Sequence, residues 1–125
     1  MSDELFKQEG YELMGAAFEV YNEQGSHLSE DIYQASLEAE LTLRKIPFDA
    51  QRHLDVFYKG AKLDPYFIPD LMVHDEIIVE LKAVKKLLPE HEAQLINYLA
   101  ITGKKVGYLI NFAHQGALEW KRIVL

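Results

Sequence analysis

Pro69-Asp70, nine intervening residues and then Glu80-Leu81-Lys82 set two carboxylates and an ammonium where two paired strands would bring them together. Residues 67–73 and 77–84 are both rich in β-formers, and His74-Asp75-Glu76 between them is short and polar, so the segment reads as a hairpin. Side chains alternate along a strand, which puts Ile78, Glu80 and Lys82 on one face and Ile77, Val79 and Leu81 on the other. Charged groups in so apolar a run are expensive to bury unless they are paired or coordinated. Magnesium takes oxygen ligands and keeps several waters, so Asp70 and Glu80 plus a substrate phosphate oxygen suffice to hold it. Bound there it would acidify a water and neutralise a phosphate, the requirements for hydrolysing a phosphodiester. Glu80 and Lys82 alone are equally well explained as a solvated pair at a strand end. Asp70, itself inside the apolar run Phe67, Ile68, Leu71, Met72 and Val73, favours a site.

The elements that must position these groups follow from periodicity. Residues 3–22 place Leu5, Leu13, Met14, Ala17, Phe18, Val20 and Tyr21 near helical spacing, and Gly25 supplies a stop. Ser29 can cap a second helix with Glu30 and Asp31 in its first turn and Ile32, Tyr33, Ala35, Leu37 and Leu41 recurring on one side, ended by Lys45 and Pro47. Residues 48–58, 63–73 and 77–84 then predict three consecutive antiparallel strands in a meander, with Lys59-Gly60 as the first turn. Pro89 opens a third helix that Gly103 closes, and residues 106–112 and 120–125 predict two more strands around a turn at His114-Gln115-Gly116. The order ααβββαββ contains one crossover, so the fold class is α/β (α+β), a mixed sheet of four to five strands flanked by helices.

At 125 residues and 49% hydrophobic content the chain suits a single domain over residues 1–125 with one core. No apolar run is long enough for a membrane span, no secretory leader is evident, and the absence of cysteine fits a reducing cytoplasm, the expected location. The net charge of −7 is unusual for a nucleic-acid protein, but it is unevenly spread. Residues 1–50 carry 11 acids and 3 bases, whereas residues 51–125 carry 9 acids and 10 bases. Lys82, Lys85, Lys86, Lys104, Lys105, Lys121 and Arg122 are candidates for a local basic surface there. The five histidines lack ligand spacing for zinc, and neither a glycine-rich phosphate loop nor a nucleophilic serine motif is present.

The spacing PD-x9-ELK resembles the signature of the PD-(D/E)XK nuclease superfamily, and Gln94-Leu95-Ile96-Asn97-Tyr98 resembles the QxxxY element of its RecB-like members. Residues 28–41, the Tyr58-Lys59-Gly60 turn, residues 78–84, residues 91–102 and the Lys121-Arg122-Ile123-Val124 ending are similar to the small bacterial GxxExxY family. The resemblance covers nearly the whole chain, with one departure: the name-giving glycine falls at His27, so the turn before Glu30 is where the pattern differs. It implies a restriction-endonuclease-like core with Asp70, Glu80 and Lys82 as catalytic residues and Mg²⁺ as cofactor, with Mn²⁺ able to substitute. It further implies the Leu81 backbone carbonyl as a metal ligand, Glu30 as a third metal carboxylate, and Gln94 and Tyr98 facing substrate. Tyr33, one turn after Glu30, is a candidate for substrate binding; on that helical face it could instead hold Glu30 or pack in the core.

The leading expectation is a metal-dependent nuclease acting on nucleic acid, with DNA as the expected substrate. A chain this small implies an unidentified protein partner for targeting, and exposed aromatics such as Tyr66, Phe67 and Trp120 suggest a homodimer interface. The alternative is a non-catalytic binding or assembly module that retains the nuclease fold, for which the acidic N-terminal half argues.

Overall fold

A computed structural model describes residues 5–125. The two expected N-terminal helices are present as α1 (Lys7–Gln24) and α2 (Glu30–Leu43). Residues 3 and 4 of the expected first helix lie outside the described residues, and Leu5 and Phe6 form a turn before it. α1 buries Leu13, Met14, Ala16, Ala17 and Val20, and α2 buries Tyr33, Leu37 and Leu41, one stripe at four-residue spacing. Phe18, expected inside, is 41% exposed. Ser29 occupies the N-cap position of α2, but its hydroxyl bonds the Asp31 carboxylate at 2.5 Å rather than a backbone amide.

Three backbone choices in this helical pair are conformationally unfavourable. Gly10 and Gly15 sit inside α1, where glycine costs about 0.5–1 kcal/mol relative to alanine. A Cβ on Gly10 would overlap the Tyr108 hydroxyl, and one on Gly15 would lie 3.1 Å from an Arg44 guanidinium nitrogen, so each glycine admits a side chain to the helix backbone. Lys45, just past α2, takes a left-handed conformation (φ 59) while Ile46 N–H donates to the Leu41 carbonyl at 2.9 Å. That geometry favours glycine, and lysine there costs roughly 1–2 kcal/mol.

The strand region departs from the expected meander. The first predicted strand divides into β1 (Phe48–Asp49) and β2 (Leu54–Tyr58), and the second into β3 (Ala61–Phe67) and β4 (Leu71–Val73). β2 and β3 form a separate two-stranded hairpin, because the chain leaves the ladder at Pro69, which has no N–H to donate. β5 (Ile77–Lys82), α3 (Pro89–Thr102), β6 (Val106–Asn111) and β7 (Glu119–Val124) match their predicted places. The main sheet has the order β1-β4-β5-β6-β7, parallel only between β5 and β6, which α3 connects as the crossover.

Helices cover both faces of this five-stranded mixed sheet. α1 and α2 pack on the face carrying Leu71, Val73, Ile77, Val79, Leu81, Tyr108 and Ile110. α3 covers the other through Leu95 and Leu99 against Met72, Ile78 and Leu109. The left-handed residues His74 and Asp75 make the tight β4–β5 turn.

Candidate active site

The site forms where β4 and β5 part company. Their pairing runs from Val73↔Ile77 to Leu71↔Val79 and stops, because Asp70 follows Pro69 and the chain turns away toward β3. Glu80, Leu81 and Lys82 therefore project beyond their antiparallel partner while still paired to β6 on the other side. Side-chain bonds replace the missing ladder. Leu81 N–H donates to Asp70 Oδ2 at 2.7 Å, and Asp70 N–H donates to Glu80 Oε2 at 2.9 Å. The two carboxylates are thus interlocked through each other's strands.

The alternation expected from sequence is observed. Ile77, Val79 and Leu81 are buried beneath α1 and α2, while Ile78, Glu80 and Lys82 face α3, with Ile78 buried and the two charged residues half-buried. The N–H and C=O of a strand residue point to the same edge. Since the Leu81 amide reaches Asp70 and the Lys82 carbonyl bonds Phe112 N–H at 3.0 Å on the β6 side, the Leu81 carbonyl opens toward the carboxylates.

Electrostatics mark the same spot. Burial, then the neighbouring Asp70 charge, push the Glu80 carboxyl up to about 7 from an ordinary 4.5. Burial also raises Asp70, against the Leu81 amide and the Lys82 ammonium, which favour its charged form. Glu30, at the start of α2, is raised by desolvation and by Asp70, with Lys82 opposing. Lys82 therefore acts on all three acids, although among the described residues it makes no ion pair within 4.0 Å. Among the described residues no three carboxylate or imidazole groups converge into a ready metal cluster. What is present suits a hydrated ion: Asp70 and Glu80 each commit one oxygen to a backbone amide, leaving Oδ1 and Oε1 without a hydrogen-bond partner among the described residues and open to water.

α3 brings Tyr98 to this cleft, where burial and the Glu80 charge raise its phenol and Gln94, one turn earlier, opposes the shift. Its ring stacks on Phe67 with centroids 3.8 Å apart. Gln94 itself is exposed beside Tyr98. Tyr33 is a correction, because it is fully buried, stacks on Phe112 at 4.8 Å and donates its hydroxyl to the Gly25 carbonyl while accepting from Leu28 N–H. It touches no substrate-accessible surface; it fastens the turn that delivers Glu30. His27, in that turn, has no left-handed backbone, so a residue other than glycine is unstrained there. Phe67 is likewise buried and unavailable to an interface, unlike Tyr66 and Trp120. His91 is used in the α3 cap, where its Nδ1 accepts from Leu88 N–H.

Two positioning residues escaped the sequence reading. Gln34 donates Nε2 to the Asp70 carbonyl at 2.9 Å, fixing the backbone of the first carboxylate; its place four residues after Glu30 was the available signal. Asn111, a fully buried polar residue, bonds the Val84 N–H and carbonyl and Glu119, tying down the chain just beyond Lys82. A single asparagine at a strand end gives no sequence signal for that. The candidate basic surface is dispersed: Lys104 pairs with Glu76, Lys121 with Glu92, and Arg122 reaches the Leu5 carbonyl on the α1 face.

A mixed sheet with helices on both faces, and carboxylates and lysine at the point where two central strands diverge, defines the restriction-endonuclease-like PD-(D/E)XK architecture. Residues 7–123 match the family model for the PD-(D/E)XK nuclease superfamily, and the chain belongs to that superfamily. The family points to nuclease chemistry and nucleic-acid binding. No curated protein matches the chain. Among solved structures, the crystal structure of SSO0001 shares the fold with a TM-score of 0.57 and 19% identity over 75% of this chain and 48% of that one. The chain thus spans about half the length of SSO0001. No helix among the described residues is long and apolar enough to cross a membrane.

Proposed function

We propose that this chain is a divalent-metal-dependent nuclease of the GxxExxY type, a single domain over residues 1–125 that hydrolyses phosphodiester bonds of DNA in the cytoplasm. The observation that carries this reading is the interlocked pair Asp70–Glu80, each with one oxygen anchored on a backbone amide and one left open, at a strand end where burial disfavours their charge. A buried anionic pair held in this way is relieved by a cation.

Asp70, Glu80 and the Leu81 carbonyl would hold Mg²⁺, or Mn²⁺ in its place, with Glu30 completing the acidic side through bound water. When bound, the ion supplies charge neutralisation and a more acidic water. Lys82 shares the face of Glu80, orients the attacking water and offsets the charge gathering on the phosphate oxygens. Tyr98 and Gln94, the proposed QxxxY element, line the entrance on α3 and contact the substrate backbone. Targeting would come from a protein partner, and the exposed Tyr66 is available for self-association.

The test is cleavage of end-labelled single-stranded DNA, duplex DNA and RNA with Mg²⁺, Mn²⁺ or chelator, comparing the natural chain with Asp70→Ala and Lys82→Ala. Metal-dependent products lost in both variants are expected. Equal background from all three proteins, with no metal binding, would instead identify an assembly module built on a nuclease fold.

A further inference from the structure

On the opposite side of the sheet from Asp70 and Glu80 lies a cavity of about 1100 Å³ between α1, the end of α2 and the β6–β7 pair, which the nuclease chemistry does not use. Its charge is the reverse of its surroundings. Residues 1–50 contain only three basic residues, Lys7, Arg44 and Lys45, against 11 acids, and all three line this cavity. Arg122 adds a fourth cation from β7, while among the described residues Glu12 is the one acidic residue of the wall and is engaged with His74 at 3.0 Å. Aromatic rings make up much of the rest: Tyr11 at 73%, Phe18 at 41% and Trp120 at 40% exposure, with Tyr108 beneath Trp120 at 6.1 Å between centroids.

The backbone bears the mark of the same cavity. Gly10 and Gly15 both line it, the first admitting the Tyr108 hydroxyl and the second the Arg44 guanidinium to the helix surface. Lys45 lines it from a left-handed conformation that glycine would adopt without strain. Cations suit a helix C-terminus, which accounts for charge at the end of α2 but not for a strained lysine there. Three unfavourable local choices thus converge on one cavity whose walls pair exposed rings with guanidinium and ammonium groups.

We propose that this cavity is a binding site for a nucleoside phosphate, separate from the cleft that would cut nucleic acid. The rings of Tyr11, Phe18 and Trp120 offer faces for a base, and Lys7 and Lys45 offer charge-assisted donors for phosphate, joined by the remaining N–H groups of Arg44, whose Nε is held by Glu40 at 2.7 Å, and of Arg122, which also reaches the Leu5 carbonyl. A bare anion would leave the rings unused, and an uncharged aromatic ligand would leave the cations unused. The cavity is ample for one nucleotide.

Trp120 is the only tryptophan of the chain, so its fluorescence reports this site directly. The full chain is titrated in chelator, which silences the metal cleft, with each of the four 5′-ribonucleoside monophosphates, and separately with adenosine and with inorganic phosphate. A saturable change is expected with at least one monophosphate, at least about tenfold weaker with adenosine or phosphate alone, since the loss of either half removes one set of contacts. Lys45→Gly and Gly15→Ala should each weaken it at least about fivefold without lowering the melting temperature, because both relieve backbone strain or propensity cost while disturbing the cations. No saturable change with any monophosphate overturns the proposal, as does equal saturation by phosphate alone. Self-association by sedimentation that buries Trp120 would also overturn it, assigning the face to a second copy.

Discussion

The two faces of one sheet carry opposite electrostatic problems. On the α3 face, Asp70 and Glu80 are carboxyl groups held where burial disfavours their charged form, with Glu30 adding to the repulsion. On the α1 face, Lys7, Arg44, Lys45 and Arg122 gather around exposed rings. The difference teaches how each is built. The acidic cleft arises from a break in hydrogen bonding, where β4 leaves β5 and side chains take over the ladder. The basic cavity arises from packing, where glycines let side chains approach a helix. The sheet keeps the two apart by placing a buried layer, including Val79, Leu81, Leu109 and Ile110, between them.

The largest expected effect breaks the acidic side chemically. Asp70→Ala and Lys82→Ala should each reduce metal-dependent cleavage by roughly 10²–10⁴-fold, read as initial rates on the preferred substrate. Asp70→Asn, which keeps an acceptor for Leu81 N–H, should lose cleavage equally while retaining more stability than Asp70→Ala. Equal activity in Lys82→Ala would remove lysine from the chemistry.

Proton linkage sharpens the same side. The folded Glu80 carboxyl sits at about 7 against an ordinary 4.5, so between those values the folded protein holds a proton that the unfolded chain has released. Stability conferred by that proton is complete below about pH 4.5 and is lost as pH rises through 7, by about 3 kcal/mol in metal-free protein. Urea unfolding across this range should show the decline, and Glu80→Gln or saturating Mn²⁺ should flatten it. A slope unchanged by Glu80→Gln would reassign the linkage.

On the basic side, Gly10→Ala forces a methyl group into the Tyr108 hydroxyl and should destabilise by about 1–3 kcal/mol, although alanine is the better helix former. A gain in melting temperature would show that Tyr108 moves freely. The smallest effect is expected from Gln34→Ala, which removes one bond to the Asp70 carbonyl and should lower stability by about 1 kcal/mol while reducing cleavage several-fold. A stability change without any activity change would limit Gln34 to a structural part.

Much of this was legible in the residues themselves. The helices, the β4–β5 hairpin, the parallel crossover through α3 and the shared face of Glu80 and Lys82 follow from periodicity, Pro89, Gly103 and strand alternation, all set by neighbours along the chain. The expected meander failed because apolar alternation does not reveal which strand a segment pairs with, and Pro69 diverted β2 and β3 into their own hairpin. Tyr33 was ambiguous for a similar reason: a helix-face tyrosine reads alike whether its hydroxyl meets substrate or a buried carbonyl.

The sequence by itself therefore determined which groups are able to do chemistry and which face of their strand they occupy, because those depend on composition and a two-residue period. Tertiary structure alone decided that Leu81 N–H meets the Asp70 carboxylate, that Gln34 and Asn111 hold the backbone around the cleft, and that the only three cations of the N-terminal half meet Trp120 and Arg122 across a common cavity. Those contacts join segments far apart in the chain, and no local pattern encodes them until the sheet and helices have closed on one another.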